Sequence, residues 1–257
     1  MTGRVTLVGG GPGAIDLLTV RAVRALAEAD VVLVDRLAPH DGLAELAPQA
    51  EIVDVGKTPG HHAVPQHEIE AMLVRYAASG AHVVRLKGGD PYVLGRGGEE
   101  VLACHTAGIP VEVVPGVTSA IAVPASAGIP LTHRGVSHLF TVVSGHAPLS
   151  EEELAHLAGL GGTIVVLMGI ATLPRLAAGL ARHGLPAEHP IAVVERGFSP
   201  EQRTTVGTLA DIVAIAGLAR VASPAVVVVG EVVRLAHDGD AAAGELMARA
   251  AAMSVIA

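Results

Sequence analysis

The chain has 257 residues, enough for one large domain or two modest ones that bury a core without disulfide or metal staples. Hydrophobic residues make up 51% and charged residues 16%, which excludes a disordered chain. With 17 Lys and Arg against 25 Asp and Glu the net charge is −8, and aromatics are only 2%, so neither a polyanion-attracting field nor a base-stacking nucleic-acid surface is expected.

Short β-branched runs alternate with longer helical patterns. Residues 5–8, 31–34, 51–55, 82–86, 111–114, 139–143, 163–167, 191–194 and 225–229 read as strands, several apolar enough to be covered on both faces. Between them, residues 17–29, 66–78, 97–107, 150–158, 173–183 and 208–218 have helical length and spacing. The alternation predicts an α/β fold. The small-residue, Pro- and Gly-rich stretch 122–134 places a domain boundary near 115–135, giving domains 1–118 and 119–239 and an Ala-rich extension 240–257. Cys104 stands alone, so internal disulfides and multi-cysteine zinc sites are excluded and a reducing cytoplasm is expected. It falls in the helical pattern 97–107 and reads as an inert core residue. No signal-peptide pattern opens the chain, and no run reaches the ~18 apolar residues of a membrane helix, so no membrane partner is expected.

Glycines and prolines collect at the predicted strand ends, where open α/β sheets bind ligands. Gly9-Gly10-Gly11-Pro12-Gly13-Ala14 contains a G-x-G-x-x-A pattern between a strand and a helix, and Asp35 ends the second strand. That is the outline of a dinucleotide fingerprint. Pro12 removes a donor that a pyrophosphate would use, and the next helix starts late. A nicotinamide-dependent oxidoreductase therefore ranks below a site for a different nucleoside ligand.

The remaining loops carry a more specific pattern. Arg85-Leu86-Lys87-Gly88-Gly89-Asp90-Pro91-Tyr92-Val93-Leu94-Gly95-Arg96-Gly97-Gly98-Glu99-Glu100 is followed by Val113-Val114-Pro115-Gly116-Val117-Thr118-Ser119-Ala120 and by Ala127-Gly128-Ile129-Pro130-Leu131-Thr132-His133-Arg134. With Val34-Asp35-Arg36-Leu37 and Val55-Gly56-Lys57, the chain resembles the tetrapyrrole methylase family from about residue 4 to about residue 233, and within it the uroporphyrinogen-III C-methyltransferases. The resemblance implies two α/β domains of the tetrapyrrole methylase type with an active-site cleft between them, usually as a homodimer. It implies S-adenosyl-L-methionine as methyl donor, leaving S-adenosyl-L-homocysteine. It implies methylation of uroporphyrinogen III at C2 and C7 to give precorrin-2 by way of precorrin-1, on the routes to sirohaem and cobalamin. A methyltransferase for a later corrinoid intermediate and a non-catalytic ligand-binding relative are the alternatives within that resemblance.

Carried over by motif, the donor contacts fall on Pro12, Gly88, Gly89, Asp90, Val93, Thr118, Ser119, Met168 and Gly197. Glycines allow close backbone approach, Asp90 offers acceptors for a ribose diol or an ammonium group, and Met168 and Val93 suit an adenine face. Three positions depart from the family pattern: Leu167 where Tyr is frequent, Leu94 where Phe is common, and Arg196 where Asn is usual. The resemblance nominates Asp35 as proton acceptor and Lys57 as proton donor. Asp35 reads equally as a loop anchor, and Lys57 equally as a carboxylate ligand. The expected substrate carries many carboxylates, for which Arg36, Arg85, Arg96, Arg134 and Arg203 are candidates. His61, His62 and His67 lack metal-ligand spacing, so no metal is expected.

Overall fold

The computed structural model describes residues 3–56 and 64–236, and its backbone divides into two compact units between Ser119 and Ala120. The first unit is a five-stranded parallel sheet, β1 (Arg4–Gly9), β2 (Val31–Val34), β3 (Glu51–Asp54), β4 (His82–Lys87) and β5 (Val111–Val114), in the order β3-β2-β4-β1-β5. Helices α1 (Val20–Ala27) and α2 (Leu43–Leu46) bring Ala22, Leu26 and Leu43 onto one face, against Val8, Val32, Val84 and Leu86. Helices α3 (Gln66–Ala78) and α4 (Gly97–Thr106) bring Ile69, Leu73 and Cys104 onto the other, against Val5, Leu7, Leu33 and Val83. β1, β2 and β4 thus send alternate side chains into two cores, which is why they are apolar at most positions. β1 and β4 are neighbours, yet the chain leaves β1 toward β2 and leaves β4 toward β5, so the strand order reverses between them. In open α/β sheets such a reversal marks the ligand end.

The second unit holds α5 (Ser119–Ser126), β6 (Phe140–Ser144), α6 (Glu151–Leu160), β7 (Thr163–Leu167), α7 (Leu173–Arg182), β8 (Pro190–Glu195), β9 (Arg203–Thr208), α8 (Ile212–Leu218) and β10 (Ala225–Val229). Its sheet has the order β6-β7-β10-β8-β9, with only β6 and β7 parallel. α6, α7 and α8 cover one face, and α5 with the 3-10 segment Glu231–Leu235 covers the other. Ser150 caps α6 through a capping box with Glu153, each side chain accepting the other's backbone N–H.

Several elements differ from the sequence reading: the short α2 was not expected, and α8 begins at Ile212 rather than 208 because β9 runs to Thr208. The helix expected over 17–29 begins later: Ile15–Leu17 forms a 3-10 turn, Leu18 is extended, and α1 starts after Thr19, whose hydroxyl accepts the Ala22 N–H at 3.1 Å. β9 falls where no strand was expected, because Arg-Thr-Thr-Val-Gly-Thr is polar and half-exposed at a sheet edge. α5 occupies part of the stretch read as a linker; its residues Ala120, Val123 and Ala127 beyond its end pack into the core, so it has no polar face to mark it. Among the described residues, no helix is long and apolar enough to cross a membrane, and no cluster of three or more metal-binding side chains forms.

Candidate active site

The carboxyl ends of β1, β4 and β5 converge on three glycines. A Cβ built on Gly116 would stand 2.4 Å from the Gly89 carbonyl oxygen and 2.6 Å from Gly9 C, and one built on Gly9 would stand 2.4 Å from Gly116 N. Only glycines let three backbones meet this closely. Gly10 N donates to the Lys87 carbonyl at 2.7 Å, Gly11 N to the Gly89 carbonyl at 3.1 Å, and Gly89 N returns to the Gly11 carbonyl at 2.7 Å. The first glycine loop therefore spends its amides on the β4 loop. With those donors occupied and α1 beginning only at Val20, the loop lacks the helix-tipped amide cradle of a dinucleotide site, and the nicotinamide reading is rejected.

Asp90 pins the β4 loop. Its Oδ1 accepts the Tyr92 N–H at 2.8 Å and its Oδ2 accepts the Gly116 N–H at 3.0 Å. Each carboxylate oxygen keeps a second lone pair for a ligand. Gly88, Val93, Thr118 and Ser119 lie along the same turn and its β5 neighbour, with the Cβ position of Gly89 3.8 Å from the Ser119 hydroxyl. Pro12 sits half-exposed on the loop bonded to Gly89. Seven of the nine nominated donor contacts thus fall in three adjoining loops of the first unit. Met168 and Gly197 belong to the second unit, directly after β7 and β8.

Backbone strain collects in the same loops. Among the described residues six non-glycine residues take positive φ, and five of them are Leu94 and Arg96 after β4, Met168 after β7, and Arg196 and Phe198 after β8. Such conformations cost about 1–3 kcal/mol each and persist where surrounding structure enforces them, commonly at ligand sites. Met168 is 47% exposed, so it is not the core residue that its type alone would suggest.

Below the sheet edge lies a buried charge cluster. Side chains alternate along a strand, so Leu33 and Asp35 from β2's line and Arg85 and Lys87 from β4 face the same side. Arg85 Nη2 donates to Asp35 Oδ1 at 2.5 Å, and Arg85 Nε donates to Glu100 Oε1 at 3.0 Å. Lys87 Nζ donates to the same Glu100 oxygen at 3.0 Å and stands 3.9 Å from Asp35 Oδ2. Gln66 Nε2 adds a third bond to Glu100 Oε1 at 3.3 Å. Arg85, Lys87 and Glu100 are buried, and Asp35 alone keeps a side chain 30% exposed. Burial would lower the Arg85 guanidinium, but the Glu100 and Asp35 carboxylates outweigh it and hold it raised. Burial, with repulsion from Arg85, lowers the Lys87 ammonium despite both carboxylates. Burial also pushes the Cys104 thiol up to about 11, helped by Glu100 and Glu70, which makes it unreactive.

A sequence profile of the tetrapyrrole (corrin/porphyrin) methylases matches residues 4–213. The chain belongs to the tetrapyrrole methylase family. It is 49% identical over 240 residues to the S-adenosyl-L-methionine-dependent uroporphyrinogen III methyltransferase of Methanosarcina barkeri, covering 92% of this chain and 94% of that one. To the uroporphyrinogen-III C-methyltransferase of Methanocaldococcus jannaschii it is 48% identical over 238 residues, 91% of this chain and 98% of that one. Among solved structures, uroporphyrin-III C-methyl transferase from Thermus thermophilus, complexed with S-adenyl homocysteine, is 46% identical and has a TM-score of 0.77 over 91% of this chain and all 100% of that one.

Within this tetrapyrrole methylase, several expectations need correcting. Arg85 is no surface ligand for substrate carboxylates; it is buried between Asp35 and Glu100. Arg203 is committed to the buried Glu195, donating to both carboxylate oxygens at 2.7 and 2.8 Å, whereas Arg96, beside Glu99, stays exposed. Arg36 and Arg134 remain exposed. Lys57, His61 and His62 lie outside the described residues, and His67 is exposed on α3. Glu100 and Lys87 were not singled out for any role. The signal was present: two cations two apart in an otherwise apolar strand share one buried face and require a buried carboxylate.

Proposed function

We propose that this tetrapyrrole methylase transfers methyl groups from S-adenosyl-L-methionine to uroporphyrinogen III, at C2 and then C7, giving precorrin-2. The observation that carries the reading is near-half identity across nine-tenths of both chains to a relative of that activity. The geometry supports it. Beside the Asp90 carboxylate the half-buried Gly88 and Gly116 leave side-chain-free backbone against which a nucleoside can lie, held in place by the buried junction of Gly9 and Gly89. Asp90, anchored through both oxygens, presents its remaining lone pairs for a ribose diol or an ammonium group. The exposed thioether of Met168 and the half-buried Val93 are apolar contacts for adenine, and Pro12, Gly88, Gly89, Thr118, Ser119 and Gly197 complete the proposed set.

When bound, the donor supplies an electrophilic methyl on a sulfonium. The chain's part is to hold the partners in line and to manage one proton. Methylation of a substituted pyrrole carbon leaves an iminium that collapses when a neighbouring position loses a proton. Asp35, the one member of the buried cluster that reaches solvent, is the proposed acceptor, and Lys57 the proposed donor or carboxylate ligand. A cytoplasmic homodimer supplying sirohaem or cobalamin synthesis completes the proposal, with the single buried cysteine suited to a reducing compartment. Anaerobic incubation with S-adenosyl-L-methionine and uroporphyrinogen III, followed by mass spectrometry, tests it. Two added methyls are expected; an unmodified substrate would reject the reading.

A further inference from the structure

The four charges of the cluster are not equivalent in origin. Asp35, Arg85 and Lys87 stand at the ends of sheet strands, whereas Glu100 enters from α4 and is fully buried. Glu100 Oε1 gathers Arg85 Nε, Lys87 Nζ and Gln66 Nε2. Counted as ionised, two cations and two carboxylates cancel. The arrangement is also directional. Arg85 is fixed at both ends, by Glu100 through Nε and by the Leu33 carbonyl through Nη1 at 3.2 Å, and its Nη2 meets Asp35 Oδ1. Lys87 is drawn to Glu100 at 3.0 Å and so kept 3.9 Å from Asp35 Oδ2, beyond hydrogen-bond reach. Among the described residues no hydrogen bond reaches Oδ2.

We propose that Glu100 is a positioning residue for Asp35: by holding Lys87 back, it leaves Asp35 Oδ2 open to take the substrate proton. This rests on the reading of Asp35 as proton acceptor. Among the described residues, the other charged or titratable groups of the neighbouring loops are Arg36, Asp54 at the end of β3, whose Oδ1 accepts the Gly56 N–H at 2.8 Å, and His40, whose Nε2 donates to the Asp35 carbonyl at 3.0 Å, while Glu99 on α4 feels the Lys87 charge. The carboxylates within 4.0 Å of Lys87 Nζ, among the described residues, are those of Glu100 and Asp35. Remove the Glu100 charge and the cluster carries one excess positive charge, and among the described residues Asp35 Oδ2 is the one carboxylate oxygen left within 4.0 Å of the Lys87 ammonium. The oxygen that should accept a proton is then capped by a donor.

The test is a cycle of Glu100→Gln, Lys87→Met and the double variant, each assayed for kcat, its pH profile and S-adenosylhomocysteine affinity by calorimetry. Glu100→Gln is expected to lower kcat about tenfold or more, since general-base assistance is worth at least that, while S-adenosylhomocysteine affinity holds within about twofold. Its pH profile departs from that of the unaltered chain, because the cluster now carries an excess positive charge beside the reacting proton. Removing the ammonium as well restores most of kcat and returns the profile toward that of the unaltered chain. In the Lys87→Met background, Glu100→Gln changes kcat by less than about threefold. That comparison stands even if the Glu100→Gln single variant fails to fold. A packing role predicts no such rescue. A double variant as slow as Glu100→Gln, or a tenfold loss on adding Glu100→Gln to Lys87→Met, overturns the proposal. Full kcat in Glu100→Gln overturns it alone, whereas no methyl transfer by the unaltered chain overturns the functional reading with it.

Discussion

Replacing Gly116 by Ala probes the three-strand junction directly. The added Cβ would lie 2.4 Å from the Gly89 carbonyl oxygen and 2.6 Å from Gly9 C. Both are backbone atoms in loops that leave buried strands, so no side chain can swing aside. Relief requires the β1, β4 and β5 loops to part by about 1 Å, which places the cost at the upper end of the 1–3 kcal/mol typical of overpacking. At about 2–4 °C per kcal/mol for a chain of this size, about 3 kcal/mol lowers Tm by about 6–12 °C. The same shift moves the Gly116 N–H off Asp90 Oδ2, now at 3.0 Å, and frees the β4 loop. Thermal unfolding and calorimetric titration with S-adenosylhomocysteine read the two effects, and a loss of affinity of about tenfold accompanies the lower Tm. Gly159→Ala is the matched control. It lies in α6 with nothing within 4 Å of its Cβ position. It should gain about 0.5–1 kcal/mol from helix propensity, leaving affinity unchanged. If Gly116→Ala melts with the unaltered chain and binds equally well, the junction is not packed as described.

Other consequences are more local. Asp90→Ala removes the acceptor for both Tyr92 N–H and Gly116 N–H, and S-adenosylhomocysteine should bind at least about tenfold more weakly by calorimetry, with Asp90→Asn intermediate because it keeps one acceptor oxygen. Burial alone would raise the Glu195 carboxyl, but hydrogen bonds from Arg203 and the Ala222 N–H, with the charges of Arg203 and Arg196, hold it below the usual carboxylate range. Its contribution to stability is therefore complete above the unfolded-state value and fades as pH falls through the lower folded-state value. Denaturant unfolding of Glu195→Gln should show lower stability at neutral pH and a shallower decline below about pH 4.5 than the unaltered chain. Parallel declines would remove Glu195 from the acid response. Cys104 is fully buried with its thiol pushed up to about 11, so iodoacetamide should label it only after unfolding; rapid native labelling would contradict that.

Much of this was legible in the residues. Strands covered on both faces, such as β2 and β10, leave unbroken apolar runs, and nine of the ten strands among the described residues fall on stretches read as strands. β9 escaped because it is an edge strand rich in threonine, with Val206 exposed and Thr205 buried against the expected polarity, and α5 because Ala, Ser and Pro inside a core have no amphipathic period. The glycines of the three loops were evident, but their reason was not. It lies in backbones from β1, β4 and β5 that are distant in sequence and meet at Gly9, Gly89 and Gly116. Glu99 and Glu100 look alike in the sequence. They are adjacent on a helix and so point about 100° apart, one to Arg96 at the surface and the other to the buried pair Arg85 and Lys87. Which was which depended on how α4 seats against the sheet.

A structure of the chain in complex with S-adenosylhomocysteine bears most directly on the account. The nucleoside should rest on the backbone of Gly88 and Gly89 with a polar group on Asp90. A nucleoside bound elsewhere, with the 87–92 turn making no contact to it, would contradict the assignment of these glycine loops as the donor site.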